Sequence, residues 1–489
     1  MIDTQAIKDR LVELAITGSL VPQNIEDGTG EDFYKEITNE RQRHKKNEDM
    51  AIEQNLLDIN APTIPSTWKW VYLYEIADVI TGSTPSKTQP SYYGATWPFF
   101  KPANIGTDKY LSDAYEKLSD EGIKKARLIP SGSVAVSCIG NIGKSAMLQE
   151  DGATNQQINS ICNYPYMDYI YWVCQSNIFV KQLRNQASAT VISIVNKSKM
   201  ECCIVPLPPL KEQKRIVKQL EAIFNVIELI DALQKQYANN ISSLNKKILD
   251  LAIMGKLVPQ DPSDEPASVL LQKIAEGKQK LIKEGKISKS RTRYDFEDSD
   301  TPFVVPDTWG WARLGDICFD LKYGTSSKSS KTGEMIVIRM GNIQNGEIDY
   351  SDLVYSSNEA DNEKYALKPL DILFNRTNSN ELVGKTGIYR GQHKAIFAGY
   401  LVLIRPIGMN PEYLNYVMNS EYEKAYCIAV KSDSVNQANV NATKIGQFLI
   451  PIPPRKEQDR IVKMIKNTLN EIRNSNYSPQ KSEWERIRK

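Results

Sequence analysis

Pro208-Pro209-Leu-Lys-Glu-Gln213-Lys-Arg-Ile-Val217 returns 245 residues later as Pro453-Pro454-Arg-Lys-Glu-Gln458-Asp-Arg-Ile-Val462. Paired prolines before a polar and apolar run mark the exit from one element and the start of a helix. After the first copy, apolar residues recur at Val217, Leu220, Phe224, Ile227, Ile230, Leu233, Tyr237, Ile241, Leu244, Ile248 and Leu251, with no Pro or Gly before Gly255. This spacing of threes and fours predicts a helix over roughly 210–254, about 65 Å long at 1.5 Å per residue. So narrow a stripe reads as a coiled-coil seam that needs a partner helix, and Gly255 as its stop.

Two further matches flank this one in the same order. Leu14-Ala-Ile-Thr-Gly-Ser-Leu-Val-Pro-Gln23 returns as Leu251-Ala-Ile-Met-Gly-Lys-Leu-Val-Pro-Gln260, offset by 237. Pro65-Ser-Thr-Trp68-Lys-Trp70 returns as Pro306-Asp-Thr-Trp309-Gly-Trp311, offset by 241. Three ordered matches with a drifting offset imply an internal duplication. The second long helix starts at Arg455, carries Ile461, Ile465, Leu469 and Ile472, and fades near Asn474. Its missing end is at the N-terminus, where Ile7, Leu11 and Leu14 align with Leu244, Ile248 and Leu251. The repeat is therefore circular, which predicts N- and C-terminal helices stacked end to end against the central one. A further helix follows each Leu-Val-Pro-Gln, with Phe33, Tyr34 and Ile37 matching Leu270, Leu271 and Ile274.

Similarity fades between Trp70 and Pro206 and between Trp311 and Pro451, so a shared frame holds two divergent inserts. Short β-branched and aromatic runs give them a mixed α/β character: Ile76 to Ile80, Val134 to Ser137, Met335 to Arg339, Asp371 to Phe374 and Tyr400 to Ile404. Helices are expected near 166–185 and 411–427. The fold class is α+β, two mixed α/β domains separated by long antiparallel coiled-coil helices in a pseudo-twofold, circularly repeated frame. The expected divisions are an N-terminal helical region (1–63), a first insert domain (64–209) and a central region with the spacer helix (210–302). A second insert domain (303–454) and a C-terminal helix (455–489) follow.

Composition bounds the chemistry. The 489 residues are 41% hydrophobic and 25% charged, values that suit a soluble globular protein of about three domains. No run of eighteen apolar residues and no basic-then-apolar leader is present, which predicts a cytoplasmic protein. Seven scattered cysteines without a C-x-x-C pair read as reduced thiols, and His44 and His393 are too few for a histidine metal cluster. Gly143-Lys144-Ser145 and Gly384-Lys385-Thr386 lack the earlier glycine of a phosphate loop; Cys138 and Ser379 stand there instead. They read as turns before strands. No Asn-Pro-Pro-aromatic run for base methylation exists, and Glu276-Gly-Lys278 and Glu284-Gly-Lys286 lack a metal-binding strand partner. No catalytic or metal residues are assigned.

The inserts do offer polar loops at matching places. Thr81-Gly-Ser83-Thr84-Pro-Ser-Lys87 corresponds to Lys322-Tyr-Gly-Thr325-Ser326-Ser327-Lys328, and such hydroxyls, free N–H groups and lysines suit phosphate contacts. Lys101 and Asn104 correspond to Arg339 and Asn342. Asn141 and Lys144 pair with the Arg376 to Asn380 stretch, which holds Asn378, and Lys385 follows it. Asn155 and Gln156 form another amide pair. Arg pairs two-pronged with guanine and Asn or Gln with adenine, so these are candidate base readers, and each is equally a candidate surface amide. A bridge from Arg376 to Glu381 is the competing reading of that arginine. The stretch 270–294 carries eight basic and two acidic residues, either a solvated face or a phosphate-facing arm. Residues 65–209 hold 13 basic and 11 acidic residues, and 306–454 hold 15 and 16, so neither insert is strongly basic.

On the three repeated motifs, the Thr-Gly-Ser-Thr-Pro loop and the Pro-x-Pro-Pro-x-Lys-Glu-Gln helix starts, the chain resembles specificity subunits of type I restriction-modification enzymes over nearly its whole length. The resemblance implies a non-catalytic chain in which each insert reads one half of a split, asymmetric double-stranded DNA site and the helices set the gap. It implies docking of two methylation subunits carrying S-adenosylmethionine, and through them of ATP- and Mg-dependent motor-nuclease restriction subunits. The competing classes are a protein-interaction scaffold that never touches DNA and the specificity part of a self-contained modification enzyme.

Overall fold

Gly18 and Gly255 decide how each half of the frame turns. The structure, a computed structural model, describes residues 2–41, 56, 60–111, 113–186, 194–288, 296–379, 382–434 and 437–475. Helix α1 (Thr4–Ile16) ends at Gly18 with φ of 75°, where Ser19 N reaches back to Leu14 O at 2.8 Å. The long helix ends in the same way at Gly255, φ of 68°, with Lys256 N to Leu251 O at 2.8 Å. A side chain at either glycine would also collide with a proline: a Cβ would lie 2.4 Å from Pro65 Cγ at Gly18 and 2.5 Å from Pro306 Cγ at Gly255. Left-handed backbone and close approach both demand glycine.

The chain divides into two units, Met1–Gln236 and Tyr237–Lys489. Each contains an incoming helix, a second helix, a mixed insert and an outgoing helix. In the first unit these are α1, α2 (Gly30–Arg41), the insert, and the first part of α3 (Leu210–Ile253). In the second they are the last part of α3, α4 (Ala267–Lys283), the insert, and α5 (Arg455–Ser475). Residues read as equivalent do equivalent work: Phe33, Tyr34 and Ile37 are buried in the first core, Leu270 and Ile274 in the second.

The three repeated motifs meet at one point in each unit. Glu212, about 1% exposed, accepts from Trp68 Nε1 at 3.0 Å and Gln23 Nε2 at 2.6 Å, and Thr67 Oγ1 donates to Gln23 Oε1 at 2.9 Å. In the second unit Glu457, also 1% exposed, accepts from Trp309 at 3.0 Å and Gln260 at 2.6 Å, and Thr308 donates to Gln260 at 3.1 Å. Gln213 and Gln458 tie back to the prolines before them, at Pro208 O (2.9 Å) and Pro453 O (3.0 Å). Above each knot the insert is entered and left through a two-stranded antiparallel neck. Lys69–Tyr72 pairs with Ile204–Leu207, and Gly310–Arg313 with Leu449–Ile452.

The first insert holds a four-stranded antiparallel sheet in the order 78–81, 158–162, 134–137, 145–147, and a five-stranded sheet in which Trp97–Phe100 runs parallel to Gly152–Thr154. The second holds a six-stranded sheet in the order 322–323, 401–404, 372–375, 386–388, 347–348, 343–344, beside two three-stranded sheets. Helix pairs Met167–Gln175 with Asn177–Gln186 and Pro411–Val417 with Glu421–Val430 cover the sheets where helices were expected.

Two expectations need correction. Ile76 to Ile80 is not one strand: a helical turn ends at Ile76 and the strand is Asp78–Thr81. The long seam is packed at its ends rather than throughout. Val217, Leu220, Ile227 and Ile248 are buried, whereas Leu233, Tyr237 and Leu244 are 54, 45 and 44% exposed. Within the first unit α1 meets the long helix near Asp231 through polar contacts, Thr4 Oγ1 to Asp231 at 2.5 Å and Lys8 to Asp231 at 3.1 Å. The buried face of α1 is Val12, Ala15 and Ile16, about 100° round the helix from the Ile7, Leu11, Leu14 stripe, of which Leu11 is partly buried against the same core. In the basic stretch Lys278 donates to Gly315 O, while Lys273 pairs with Glu265 and Lys286 with Glu284 on the exposed surface. His44, the basic residues after Arg41 and those from 289 to 293 lie outside the described residues.

Because Glu212 accepts a buried bond from an indole and a half-buried one from a carboxamide, Glu212→Ala is expected to destabilise the protein by about 1–3 kcal/mol, and Glu457→Ala by a similar amount. Glu212→Gln, which keeps an acceptor oxygen, costs less. Urea midpoints followed by circular dichroism check this, and a loss below about 0.5 kcal/mol for both alanine variants would show that the knot does not hold the frame.

Candidate nucleic-acid interface

In both inserts the strand ends bring the polar loops to one edge. In the first, Thr81 pairs with Asn159 and Ser137 with Ile158, so the ends of strands 78–81 and 134–137 lie beside the start of 158–162. Ser83 N bonds Thr154 O (2.9 Å), Thr84 Oγ1 bonds Gln156 Oε1 (2.6 Å), Asn155 N bonds Phe100 O (3.0 Å) and Cys138 N bonds Gln157 O (2.9 Å). Lys144 Nζ reaches Ile105 O at 3.2 Å. The loops 81–88, 101–105, 138–144 and 154–157 thus form one hydrogen-bonded cluster.

The second insert repeats the arrangement. Tyr323 pairs with Val402 and Asn375 with Leu401. Thr325 N bonds Phe397 O (2.9 Å), Gly399 N bonds Thr325 O (2.7 Å) and Arg376 N bonds Tyr400 O (3.1 Å). Both Gly-Lys-Ser/Thr runs are turns before strands, as read, with φ of 92° at Gly143 and 94° at Gly384. Each turn rests on a helix of its insert. A Cβ at Gly143 would lie 3.0 Å from Val180 Cγ1, and one at Gly384 would lie 3.2 Å from Glu423 Oε1.

Several candidate readers turn out to be internal struts. Asn104 and Asn342 are 2 and 4% exposed, and each caps its own turn by accepting from the backbone N of Lys101 (2.8 Å) or Arg339 (2.9 Å). Their amides also donate inward, to Asp113 O and to Asp349 O and Asp352 O. Asn155, 7% exposed, closes a turn with Gln157, and the buried Thr325 hydroxyl donates to Asp361 at 2.5 Å. These four are structural because a short polar side chain at a strand end satisfies the backbone first. Lys101 and Arg339 have their charge met by Glu116 (2.5 Å) and Asp352 (2.8 Å). Thr84, Lys87, Asn141, Lys144, Gln156, Ser326, Ser327 and Lys328 are exposed, and Ser83, Arg376, Asn378 and Lys385 half-buried. Lys385 lies 3.3 Å from Gln344 Oε1. Among the described residues Lys87, Lys144 and Lys328 pair with no carboxylate. Asn380 and Glu381 lie outside the described residues.

Two aromatic residues had not been singled out. Tyr323 and Tyr400, 40 and 53% exposed, stand at the same strand ends as Arg376. Both neighbour a glycine at a strand end, a signal visible in Lys322-Tyr323-Gly324 and Gly399-Tyr400.

The type I restriction modification DNA specificity domain matches this chain twice, over residues 65–237 and 306–481. The chain belongs to that family; its part is DNA sequence specificity through two domains, not catalysis. The EcoAI specificity subunit of Escherichia coli is 26% identical over 525 residues, 93% of this chain and 87% of that protein. The EcoEI specificity subunit, also of Escherichia coli, is 24% identical over 526 residues, 94% of this chain and 88% of that one. A chain solved in work on complex assembly and conformational transition of the type I R-M system shares the fold, with a TM-score of 0.58 at 18% identity over 87% of this chain and 96% of that one. Among the described residues no helix is long and apolar enough to cross a membrane.

Lys328 stands free on the loop edge, so Lys328→Ala is expected to weaken binding of all duplexes alike and to reduce the salt slope of binding by about one unit. Fluorescence anisotropy at four salt concentrations checks it; an unchanged slope would remove Lys328 from the phosphate contacts.

Glu423 gives a pH signature. It is 1% exposed, burial pushes its carboxyl up to about 8, and the Cys427 thiol at 2.8 Å only partly offsets that. The unfolded chain ionises this group near 4.5, so between about pH 4.5 and 8 the folded chain holds the extra proton. Stability is therefore full below that window and falls as pH rises through it, by a few kcal/mol at most. Urea unfolding at pH 5 and pH 8 should show a smaller difference for Glu423→Gln than for the unchanged chain. Identical differences would mean that Glu423 is ionised in the fold.

Proposed function

We propose that each unit reads one half of a bipartite, asymmetric site in double-stranded DNA and that α3, shared by both units, sets the gap between the halves. The observation that carries this reading is a frame repeated bond for bond, from Trp68 and Glu212 to Trp309 and Glu457, beneath loop edges that differ. The same work is thus done twice on two targets. Reading successive major grooves requires a separation near multiples of about 34 Å, and a continuous helix supplies a fixed one. Free lysines at the loop edges are the candidate phosphate contacts, with Arg376 and the exposed amides Asn141, Gln156 and Asn378 as candidate base contacts.

In this reading the chain works in the cytoplasm with two methylation subunits, which bring S-adenosylmethionine, and with ATP- and Mg-dependent restriction subunits recruited through them. The ion-paired state of many basic side chains supports such dependence, since partner subunits would add electrostatic grip.

Inserting roughly four residues, about one helical turn, at 236–240 tests the spacer. The side chains there are exposed, so the insertion spares both cores. Methylome sequencing of cells carrying the altered chain with its partner subunits should show both half-sequences unchanged and a different gap. New half-sequences with the old gap would refute the spacer role.

A further inference from the structure

Five arginines lie between residues 306 and 454. Four are ion-paired: Arg313 with Asp300 (3.5 Å), Arg339 with Asp352 (2.8 Å), Arg390 with Glu347 (2.6 Å) and Glu412 (2.7 Å), and Arg405 with Asp371 (2.5 Å). Arg376 pairs with no carboxylate among the described residues. Its guanidinium carbon instead lies 4.5 Å from the centroid of the Tyr323 ring, and its Nε donates to Gly399 O at 3.2 Å. Both supports are themselves fixed. The Tyr323 hydroxyl accepts from Ala442 N at 3.0 Å, and Gly399 N donates to Thr325 O at 2.7 Å. The Arg376 backbone is held on both sides, by Tyr400 O (3.1 Å) and by Val440 N (2.9 Å).

This arrangement engages one face and one edge of the guanidinium and leaves its two terminal nitrogens uncommitted. Two parallel N–H donors at a strand end match the O6 and N7 acceptors of guanine in the major groove. A ring beneath the guanidinium restricts its rotamers before DNA arrives, so less freedom is lost on binding.

The first unit has no counterpart. The position equivalent to Arg376 is set by its backbone bonds, Cys138 N to Gln157 O (2.9 Å) and Val195 N to Cys138 O (3.0 Å). Cys138 is 3% exposed. The position equivalent to Tyr323 is Thr81, by its pairing with Asn159, and the Thr81 hydroxyl is turned to Asn159 Oδ1 at 2.7 Å.

We propose that Tyr323 is a positioning residue that presents Arg376 to a guanine, so that one position of the second half-site, and none of the first by this device, is selected as guanine. The proposal rests on the DNA-reading assignment above and deepens it. Tyr323 acts only through Arg376, and a phosphate would be the competing ligand of the same donors.

The test is selection from a random-core DNA duplex library by the full-length chain in complex with its methylation subunits, followed by sequencing. Variants Arg376→Ala, Arg376→Lys, Tyr323→Phe and Tyr323→Leu are compared with the unchanged chain, and with each other as the double Tyr323→Leu/Arg376→Ala. Arg376→Ala should lower the preference for guanine at one position of one half-site by about 10-fold or more, leaving the other half-site intact. Arg376→Lys should lose most of that preference, because a point charge lacks the paired donors. Tyr323→Phe should keep it. Tyr323→Leu should lose it at that position alone, and the double variant should lose no more than Arg376→Ala. If Tyr323→Leu folds poorly, the Phe and Lys variants still decide. Uniform weakening by Arg376→Ala with an unchanged motif, or full retention in Arg376→Lys, would assign the arginine to a phosphate and overturn the proposal. Loss of guanine in Arg376→Ala with none in Tyr323→Leu would remove Tyr323 alone. No enriched motif for the unchanged complex would instead refute the DNA-reading assignment.

Discussion

A buried carboxylate holding an indole and a carboxamide is the constraint on which each unit depends. Glu212 and Glu457 are charged groups almost out of contact with water, and burial raises the pKa of both. Such a group is tolerated only when its oxygens are fully engaged. Trp68 and Gln23 engage one, Trp309 and Gln260 the other. The three partners come from three separate stretches, so the contact forms only when the loop after the glycine turn, the insert entry and the insert exit are all in place. Arg215 with Asp27, and Arg460 with Asp264 at 2.6 Å, add an ion pair beside each knot. The frame holds each insert at a few further points, Tyr164 Oη on Gln213 Oε1 and Asn410 N on Gln458 Oε1, both at 2.9 Å, and the inserts diverge away from those points.

This explains what was legible in the sequence. The repeated motifs hold the residues of the knot and its glycine turns, and the glycine, tryptophan, glutamine and glutamate that make those contacts are the same in both copies. Helix starts at Leu210 and Arg455 follow from proline placement, and the strand positions of the inserts from their β-branched runs. The packing of the long seam was not legible, because periodicity marks an apolar face without saying how far along it a partner extends. Leu233 and Tyr237 carry the same spacing as Val217 and Leu220 but stay exposed.

The candidate interface was legible as loops and not as side chains. Asn104, Asn342 and Asn155 have the composition of base readers, yet they spend their amides on turns of their own backbone. Sequence spacing cannot separate the two uses, because a short amide bonds whichever donor is nearest in three dimensions. Tyr323 was passed over for the opposite reason: its value comes from Arg376, 53 residues away in the chain and 4.5 Å away in the fold.

Charge bookkeeping at the loop edges bears on how affinity and specificity are divided. Lys101 with Glu116, Arg339 with Asp352 and Arg390 with Glu347 and Glu412 neutralise side chains that could otherwise grip phosphates. A chain holding many free cations would bind any duplex tightly, and its preference for one sequence would be buried under that uniform attraction. With these cations paired internally, the uniform attraction is lowered, and Arg376, held on Tyr323, acts where its geometry is fixed. Sequence preference then makes up a larger share of a weaker total, and the missing grip has to come from whatever the frame assembles with. The neutral inserts and the closed knots are two sides of one arrangement, in which the frame supplies rigidity and the loop edge supplies discrimination.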